Sequence, residues 1–269
     1  MSASTPAATA DPTAMVLRSD AGGIATLTLN RPAQFNAMSV AMLDALQAAL
    51  DAIAADPAVR LVVIAGAGPN FCAGHDLKEM LANSNEAFIG GLFGKCCAMM
   101  LTIAGIPQPV IARVHGMAAA AGCQLVAACD LAVATADARF ATSGINYGLF
   151  CATPSVPLSR NIPRKQAFEM LFTGEFIDAP TARSWGLINR IAEPSALDAE
   201  VLRLARSLME KPADVVAAGK AFLYAQLERT VADAYALAAA HITDNMLGTA
   251  AQEGVAAFVQ KRPPAWRKP

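Results

Sequence analysis

The sequence predicts an α/β fold whose last third is helical. Three observations carry this. Short apolar runs bounded by turn residues alternate with stretches of helical periodicity up to about residue 160. Beyond that point helical periodicity continues almost alone. Hydrophobic residues make up 55% of the 269 and charged residues only 16%, enough for a large core and a buried subunit interface besides.

Each element has a local reason. Residues 23–30 alternate apolar and polar and read as a strand, which Arg31-Pro32 ends. Ser39 has the chemistry of a helix N-cap, and apolar positions at helical spacing follow over 40–54. Residues 61–65 are nearly all apolar, as in a strand covered on both faces. Asp76 is placed to cap a short helix over 77–82. A polar patch at 83–86 precedes a helix over 87–104. Residues 110–115 form a strand, 116–121 a turn, 122–129 a short helix and 131–135 a strand. These units repeat strand, turn and helix without a long linker. Helices are then expected over 166–172, 179–185, 197–210, 212–228, 231–245 and 252–258, with a strand only at 188–191. The chain divides into a tail (1–14), an α/β core (15–195) and a helical region (196–269).

Several function classes are excluded early. A net charge of -1 lacks the basic excess of a nucleic-acid binder. Residues 1–14 have neither a basic start nor an apolar core, so no secretory signal is read there. The apolar stretch 117–136 is broken by Gln124 and Asp130 and is read as buried elements rather than a membrane span. Six cysteines without a C-x-x-C pair, and three histidines, give no zinc pattern. Apolar surroundings fit buried thiols in a reducing compartment, and the expected location is the cytoplasm. Gly66-Ala67-Gly68 after a strand is the only support for a nicotinamide oxidoreductase, and Phe71 stands where the third glycine belongs.

The chemistry-bearing stretches are Phe71-Cys72-Ala73-Gly74-His75-Asp76-Leu77 and Ala118-Ala119-Ala120-Ala121-Gly122-Cys123-Gln124. Small residues after a strand let a ligand oxygen approach backbone N–H groups closely, the requirement of an oxyanion hole.

These segments resemble the crotonase superfamily, the enoyl-CoA hydratase/isomerase family. Leu29-Asn30-Arg31-Pro32 with Asn36-Ala37 resembles its opening strand and turn. Residues 71–77 resemble F-x-A-G-x-D-[LI], and 116–130 resemble G-x-A-x-G-G-G-x-E-L-x-x-x-C-D. Phe172-Thr173-Gly174 with Gly186-Leu187, and Glu253-Gly254 through Pro263, resemble its connector and C-terminal signature. The resemblance implies a spiral of ββα units with a C-terminal trimerising region, assembled as a trimer or a dimer of trimers. It implies an acyl-CoA thioester substrate, coenzyme A entering only as part of that substrate and no separate cofactor. The N–H groups of Ala73 and Ala121 would form the oxyanion hole. Residues Ala73, Gly74, His75, Asp76 and Leu77 would line the thioester, and Ala37 would lie near the adenine. Phe258 and Lys261 would reach the coenzyme, their own or that of a neighbouring subunit.

The chain departs from the family where protons move. The two glutamate positions are occupied by Gln124, which does not titrate, and Gly144, which has no side chain. Hydration by two carboxylates is therefore not expected. His75 is left as a base or as a partner for a substrate carboxylate. Gln124 is left to orient water or to be a satisfied helix residue. Asp76 reads as a cap, Cys72 and Cys151 as inert thiols, His115 and His241 as structural. The open readings are weak hydration or isomerisation, decarboxylation, thioester hydrolysis, and acyl-CoA binding without turnover.

Overall fold

The computed structural model describes residues 13–267. The expected tail lies outside them, apart from Thr13 and Ala14.

Among the described residues, nine strands form two sheets. The larger comprises β1 (Val16–Ala21), β2 (Ile24–Leu29), β3 (Leu61–Gly66), β4 (Val110–Val114), β6 (Leu131–Thr135) and β9 (Arg190–Ala192), in that spatial order. β1 and β2 are antiparallel, and every other neighbouring pair is parallel. Central strands of such a sheet are covered on both faces, which is why β3 reads as an unbroken apolar run. The smaller sheet joins β5 (Met117–Ala119), β7 (Arg139–Ala141) and β8 (Ile177–Asp178). β5 lies inside the segment expected to be a turn. It and β7 are three residues each, too short for a periodic signal.

The helices are α1 (Val40–Ala54), α2 (Leu77–Ala82), α3 (Glu86–Gly105), α4 (Ala121–Ala128), α5 (Ala152–Asn161), α6 (Arg164–Thr173), α7 (Ala179–Trp185), α8 (Leu197–Met209), α9 (Ala213–Leu227), α10 (Val231–Leu247) and α11 (Thr249–Val259). Ser39 caps α1 as expected, accepting from the Met42 N–H, and Met42, Leu43, Leu46, Leu50 and Ile53 form its buried face. α5 has no counterpart in the sequence reading, because Pro154 and Pro157 disguise it.

α1, α3 and α4 cover one face of the large sheet. α3 is long and apolar enough to cross a membrane, but Leu92, Cys96, Met99 and Ile103 are buried in the core. α8 covers the other face, setting Leu197, Val201, Leu204 and Ala205 against Leu61, Val63, Ile111 and Val133. Full burial of each such large side chain is worth about 1.5–3 kcal/mol. Residues 197–209 therefore pack with the core.

A buried cation fastens that region to the core. Lys220 of α9 ion-pairs with Asp130 at 2.8 Å and donates to the carbonyls of Ile103 (2.7 Å) and Gln108 (2.9 Å). Asp130 also accepts from the Tyr224 hydroxyl and the Val110 N–H, so its charge is fully partnered. Past this point α10 and α11 leave Val231, Tyr235, Ile242, Leu247, Phe258 and Val259 exposed.

Candidate active site

The loop from β3 to α2 is organised by Asn36, which is fully buried. Its Nδ2 donates to the carbonyls of Ala67 (2.8 Å), Asn70 (2.8 Å) and Phe71 (3.1 Å), and its Oδ1 accepts from Arg31 N–H. The backbone then runs between two neighbours. Cys72 bridges to β5, donating to Met117 O and accepting from Ala119 N–H.

Ala73 does not supply a free donor. Its N–H is engaged by the Phe35 carbonyl at 3.0 Å. The donor expected of Ala73 is thus already bonded in this chain. The Gly74 carbonyl accepts from Met38 N–H at 2.8 Å. C=O and N–H of one trans peptide point in opposite directions, and the described residues contain no cis peptide bond. The His75 N–H therefore points away from Met38, and it bonds nothing among the described residues.

What lies on that side is the start of α4. Gly74 has φ +101°, and a Cβ there would sit 2.8 Å from the Ala120 Cβ and 3.2 Å from the Ala121 nitrogen. Only glycine allows this approach. Ala120 itself holds φ 48°, ψ -117°, a strained conformation for a residue with a side chain, and no side chain caps the helix. The Ala121 N–H is one of the orphan donors of a helix N-terminus, where the helix dipole favours negative charge. His75 N–H and Ala121 N–H are thus two free donors on adjoining segments.

Two cavities meet here. The outer cleft, about 1080 Å³, includes Arg31, Ala37, Asp76, Lys78 and Phe176 in its walls. The inner cavity, about 240 Å³, is walled mainly by apolar groups, among them Met80, Phe93, Leu149, Phe150 and Pro154. Ala73, His75, Leu77, Ser143 and Tyr147 line both, and so form the throat between them. Ala121 and Gly144 line the inner cavity. Phe258 and Lys261 line neither within one chain.

His75 has an asymmetric environment. Its Nδ1 lies 3.4 Å from the Met38 carbonyl. A carbonyl only accepts, so this long contact favours the tautomer with the proton on Nδ1. Nε2 is then an acceptor, and it is buried without a partner. The ring stands edge-on to Phe93, centroids 5.1 Å apart. Burial lowers the imidazole pKa, with the Met38 contact opposing it, so the neutral form is favoured.

Asp76 is a cap, accepting from Lys78 and Glu79 N–H, and it pairs with Arg31 at 3.1 Å. Burial pushes its carboxyl pKa up, but the Glu79 N–H and Arg31 outweigh that and hold it below the usual value. Gln124 is buried, its Oε1 3.9 Å from the Cys96 thiol, and it lines neither cavity. It is packed away from both. Gly144 lines the inner cavity but leaves no room there for a side chain: a Cβ would lie 2.5 Å from the Leu149 carbonyl and 2.8 Å from Cys151 Sγ. The carboxylate position is filled by backbone. Burial pushes the thiols of Cys72 and Cys123 up to about 12 and raises that of Cys151, and all six cysteines are free. His115 Nε2 lies 2.7 Å from the Gly68 carbonyl and so donates to it, and His241 stacks on Phe222.

Sequence reasoning passed over Ser143 and the walls Met80 and Phe93. The one available signal for Ser143 was its place directly before the vacated glutamate position.

A family model described as enoyl-CoA hydratase/isomerase matches residues 19–269. Enoyl-CoA hydratase domain-containing protein 3, mitochondrial, of Mus musculus is 43% identical over 244 residues, covering 91% of this chain and 81% of that protein. The crystal structure of an enoyl-CoA hydratase from Mycobacterium smegmatis superposes with a TM-score of 0.93 at 54% identity, covering 94% of this chain and 99% of that one. The human enoyl Coenzyme A hydratase domain-containing protein 3 structure gives 0.91 at 42% identity, covering 94% and 100%. The motifs, the two-sheet fold and these likenesses agree: the chain belongs to the enoyl-CoA hydratase/isomerase family.

Proposed function

We propose that this protein is an enzyme acting on acyl-CoA thioesters, with His75 as its single proton-transfer base. The carrying observation is the pair of free N–H groups, His75 and Ala121, at the junction of a large cleft with charged residues in its walls and a small apolar cavity. A thioester carbonyl seated there receives two hydrogen bonds, which stabilise negative charge on oxygen when the α-carbon loses a proton. The acyl chain occupies the inner cavity. The coenzyme occupies the cleft, where Arg31 and Lys78 offer positive charge to its phosphates. Coenzyme A comes as part of the substrate, and no other cofactor is invoked.

The neutral His75 ring lines both cavities with its Nε2 unpaired but buried, so a turn of the ring toward the throat is required before that lone pair takes a proton. Proton transfer there supports enolate formation, and a double-bond shift is the family reaction that one base completes: it removes a proton from the α-carbon and returns it to another carbon. Hydration by two carboxylates is not supported, because Gln124 lies outside the cavity and Gly144 carries no side chain and has no room for one. Decarboxylation of a malonyl-type thioester is compatible with the same donor pair, since CO₂ leaves without a strong base and the two N–H groups hold the enolate. Thioester hydrolysis through a cysteine lacks an ionised thiol.

The exposed apolar side chains of α10 and α11 support assembly as a trimer or a dimer of trimers. Phe258, 84% exposed, and Lys261 would then reach the coenzyme of a neighbouring copy. Six free thiols suit a reducing compartment, the cytoplasm or the mitochondrion that the mouse relative's name specifies.

The test is exchange of α-protons of butyryl-CoA with heavy water, followed by proton NMR. Loss of the α-signal with enzyme and not without it supports the reading. Tight binding with no exchange, and no turnover of enoyl- or malonyl-CoA, would establish a binding protein instead.

A further inference from the structure

Glu253, Gly254 and residues 261–263 line neither cavity. The structure gives them another task. α11 ends at Val259, and the chain then turns back on it as a short strap. The Arg262 guanidinium donates to both carboxylate oxygens of Glu253, at 2.6 and 2.8 Å. The Ala265 N–H donates to the same carboxylate at 2.8 Å. A two-pronged pair of this kind is strong and directional. Arg262 and the Ala265 N–H hold the Glu253 carboxyl down at about 2, so the clasp stays closed at neutral pH. Trp266 lies over Gly254, where a Cβ would come within 2.8 Å of the indole. Glycine is costly inside a helix, and this contact is the reason for it here.

The clasp fixes the backbone at Lys261. That residue holds φ +55°, the left-handed conformation that glycine usually takes at a helix end. Its N–H donates to the Phe258 carbonyl (3.1 Å), and that of Arg262 to Ala257 (3.0 Å). Among the described residues only four with side chains have positive φ. Three of them serve the candidate active site: Phe35 lines the outer cleft, Asn36 ties its loop and Ala120 lines the inner cavity. Strained backbone collects where function needs a fixed geometry. Lys261 is the fourth. It is exposed, three residues from the exposed ring of Phe258. A cation and an aromatic face suit a phosphorylated nucleotide, with phosphate on the one and base on the other.

Resting on the thioester reading above, in which Phe258 and Lys261 meet the coenzyme of a neighbouring copy, we propose that Glu253 is a positioning residue for that contact. By clasping Arg262 and Ala265 it holds Lys261 where the ammonium meets a phosphate at the nucleotide end of the coenzyme. Glu253 itself touches no substrate atom. It sets affinity for the nucleotide end and leaves the chemistry at the thioester unchanged.

The experiment is calorimetric titration of the full-length protein with butyryl-CoA and with butyryl-N-acetylcysteamine, which keeps the thioester and lacks the nucleotide. Glu253→Gln is expected to weaken butyryl-CoA about tenfold, the worth of one charge-assisted contact, and to leave the short thioester within about twofold. Lys261→Ala should lose the same factor, and the double variant no more than either, because both act through one ammonium. Gly254→Ala, which displaces Trp266 and keeps the clasp, should shift affinity the same way by less. Wild-type affinity for butyryl-CoA in Glu253→Gln would overturn the proposal. So would equal weakening of both thioesters, the mark of a strap that only holds the fold, or losses at Glu253 and Lys261 that simply add. A fall in oligomeric state by light scattering would assign the loss to assembly and overturn it as well. Wild-type protein that binds neither thioester would sink the thioester reading along with the clasp.

Discussion

The turn at residues 72–75 with the start of α4, and the segment 143–151, face the same inner cavity and carry opposite histories of constraint. The first does its work with backbone. In the proposed function its donors are the N–H groups of His75 and Ala121, so carbonyl polarisation does not depend on the side chains attached to them provided Gly74 keeps the two segments close. The second would have to do its work with a side chain, and there the side chain is gone and the Leu149 carbonyl and Cys151 thiol have closed over the place. Carbonyl polarisation survives changes of residue type. Acid–base chemistry does not.

The largest effect that tests this contrast should come from Gly74→Ala. A methyl there meets Ala120 Cβ at 2.8 Å in a left-handed backbone. Displacing one oxyanion donor costs about 10²–10³ in rate. We expect α-proton exchange to fall by at least about a hundredfold while circular dichroism shows the fold intact. Exchange at the wild-type rate would remove these donors from the mechanism.

His75→Ala separates the two functions within one residue. The N–H stays and the imidazole goes. Exchange should fall by about 10²-fold, the usual worth of a positioned base, while butyryl-CoA affinity changes little. The pH dependence has a definite sign. With a folded pKa lowered below the ordinary 6.5, the neutral base persists above it. Activity should be flat above pH 6.5 and fall only under more acidic conditions. Stability follows the same direction: the contribution of the buried neutral ring is complete above the unfolded pKa and is lost as pH falls through the folded one. A rate that rises through pH 7 to 8 would exclude this base.

Placing glutamates at both vacated positions, Gln124→Glu with Gly144→Glu, should not create a hydratase. The added Cβ at 144 lies 2.5 Å from a backbone oxygen, and overpacking of this kind costs about 1–3 kcal/mol. The expected result is a lower Tm and no gain in hydration of crotonyl-CoA. A gain would mean that residues 148–151 give way.

The smallest effect is expected from Ala120→Gly. Relief of a strained backbone is worth about 1–3 kcal/mol, offset by about 0.5–1 kcal/mol of glycine entropy. A rise in Tm of about 2 °C, read by calorimetry, is the expected outcome.

Much of this is legible in the sequence, for reasons that differ by element. α1 and α2 read correctly at both ends because Ser39 and Asp76 are caps whose hydrogen bonds are local. β3 reads correctly because burial on both faces leaves no polar residue. β5, β7 and β8 do not, because two- and three-residue strands are set by partners distant in sequence. The oxyanion turn is visible in the letters, but which of its N–H groups is left unbonded is not. Which N–H is free depends on Phe35 and Met38 claiming their neighbours, and no residue type records that. The empty glutamate positions are visible too, whereas the closure of residues 149–151 over Gly144 is not.

The Lys220–Asp130 pair has a consequence for how this chain can be cut. A chain truncated before α9 would leave the Asp130 carboxylate with the Val110 N–H alone and would strand the carbonyls of Ile103 and Gln108. Breaking such a buried pair costs about 3–5 kcal/mol, a large part of a domain's whole stability. Residues 213–227 are therefore expected to melt with the core in one transition, and a chain cut before them to be markedly less stable.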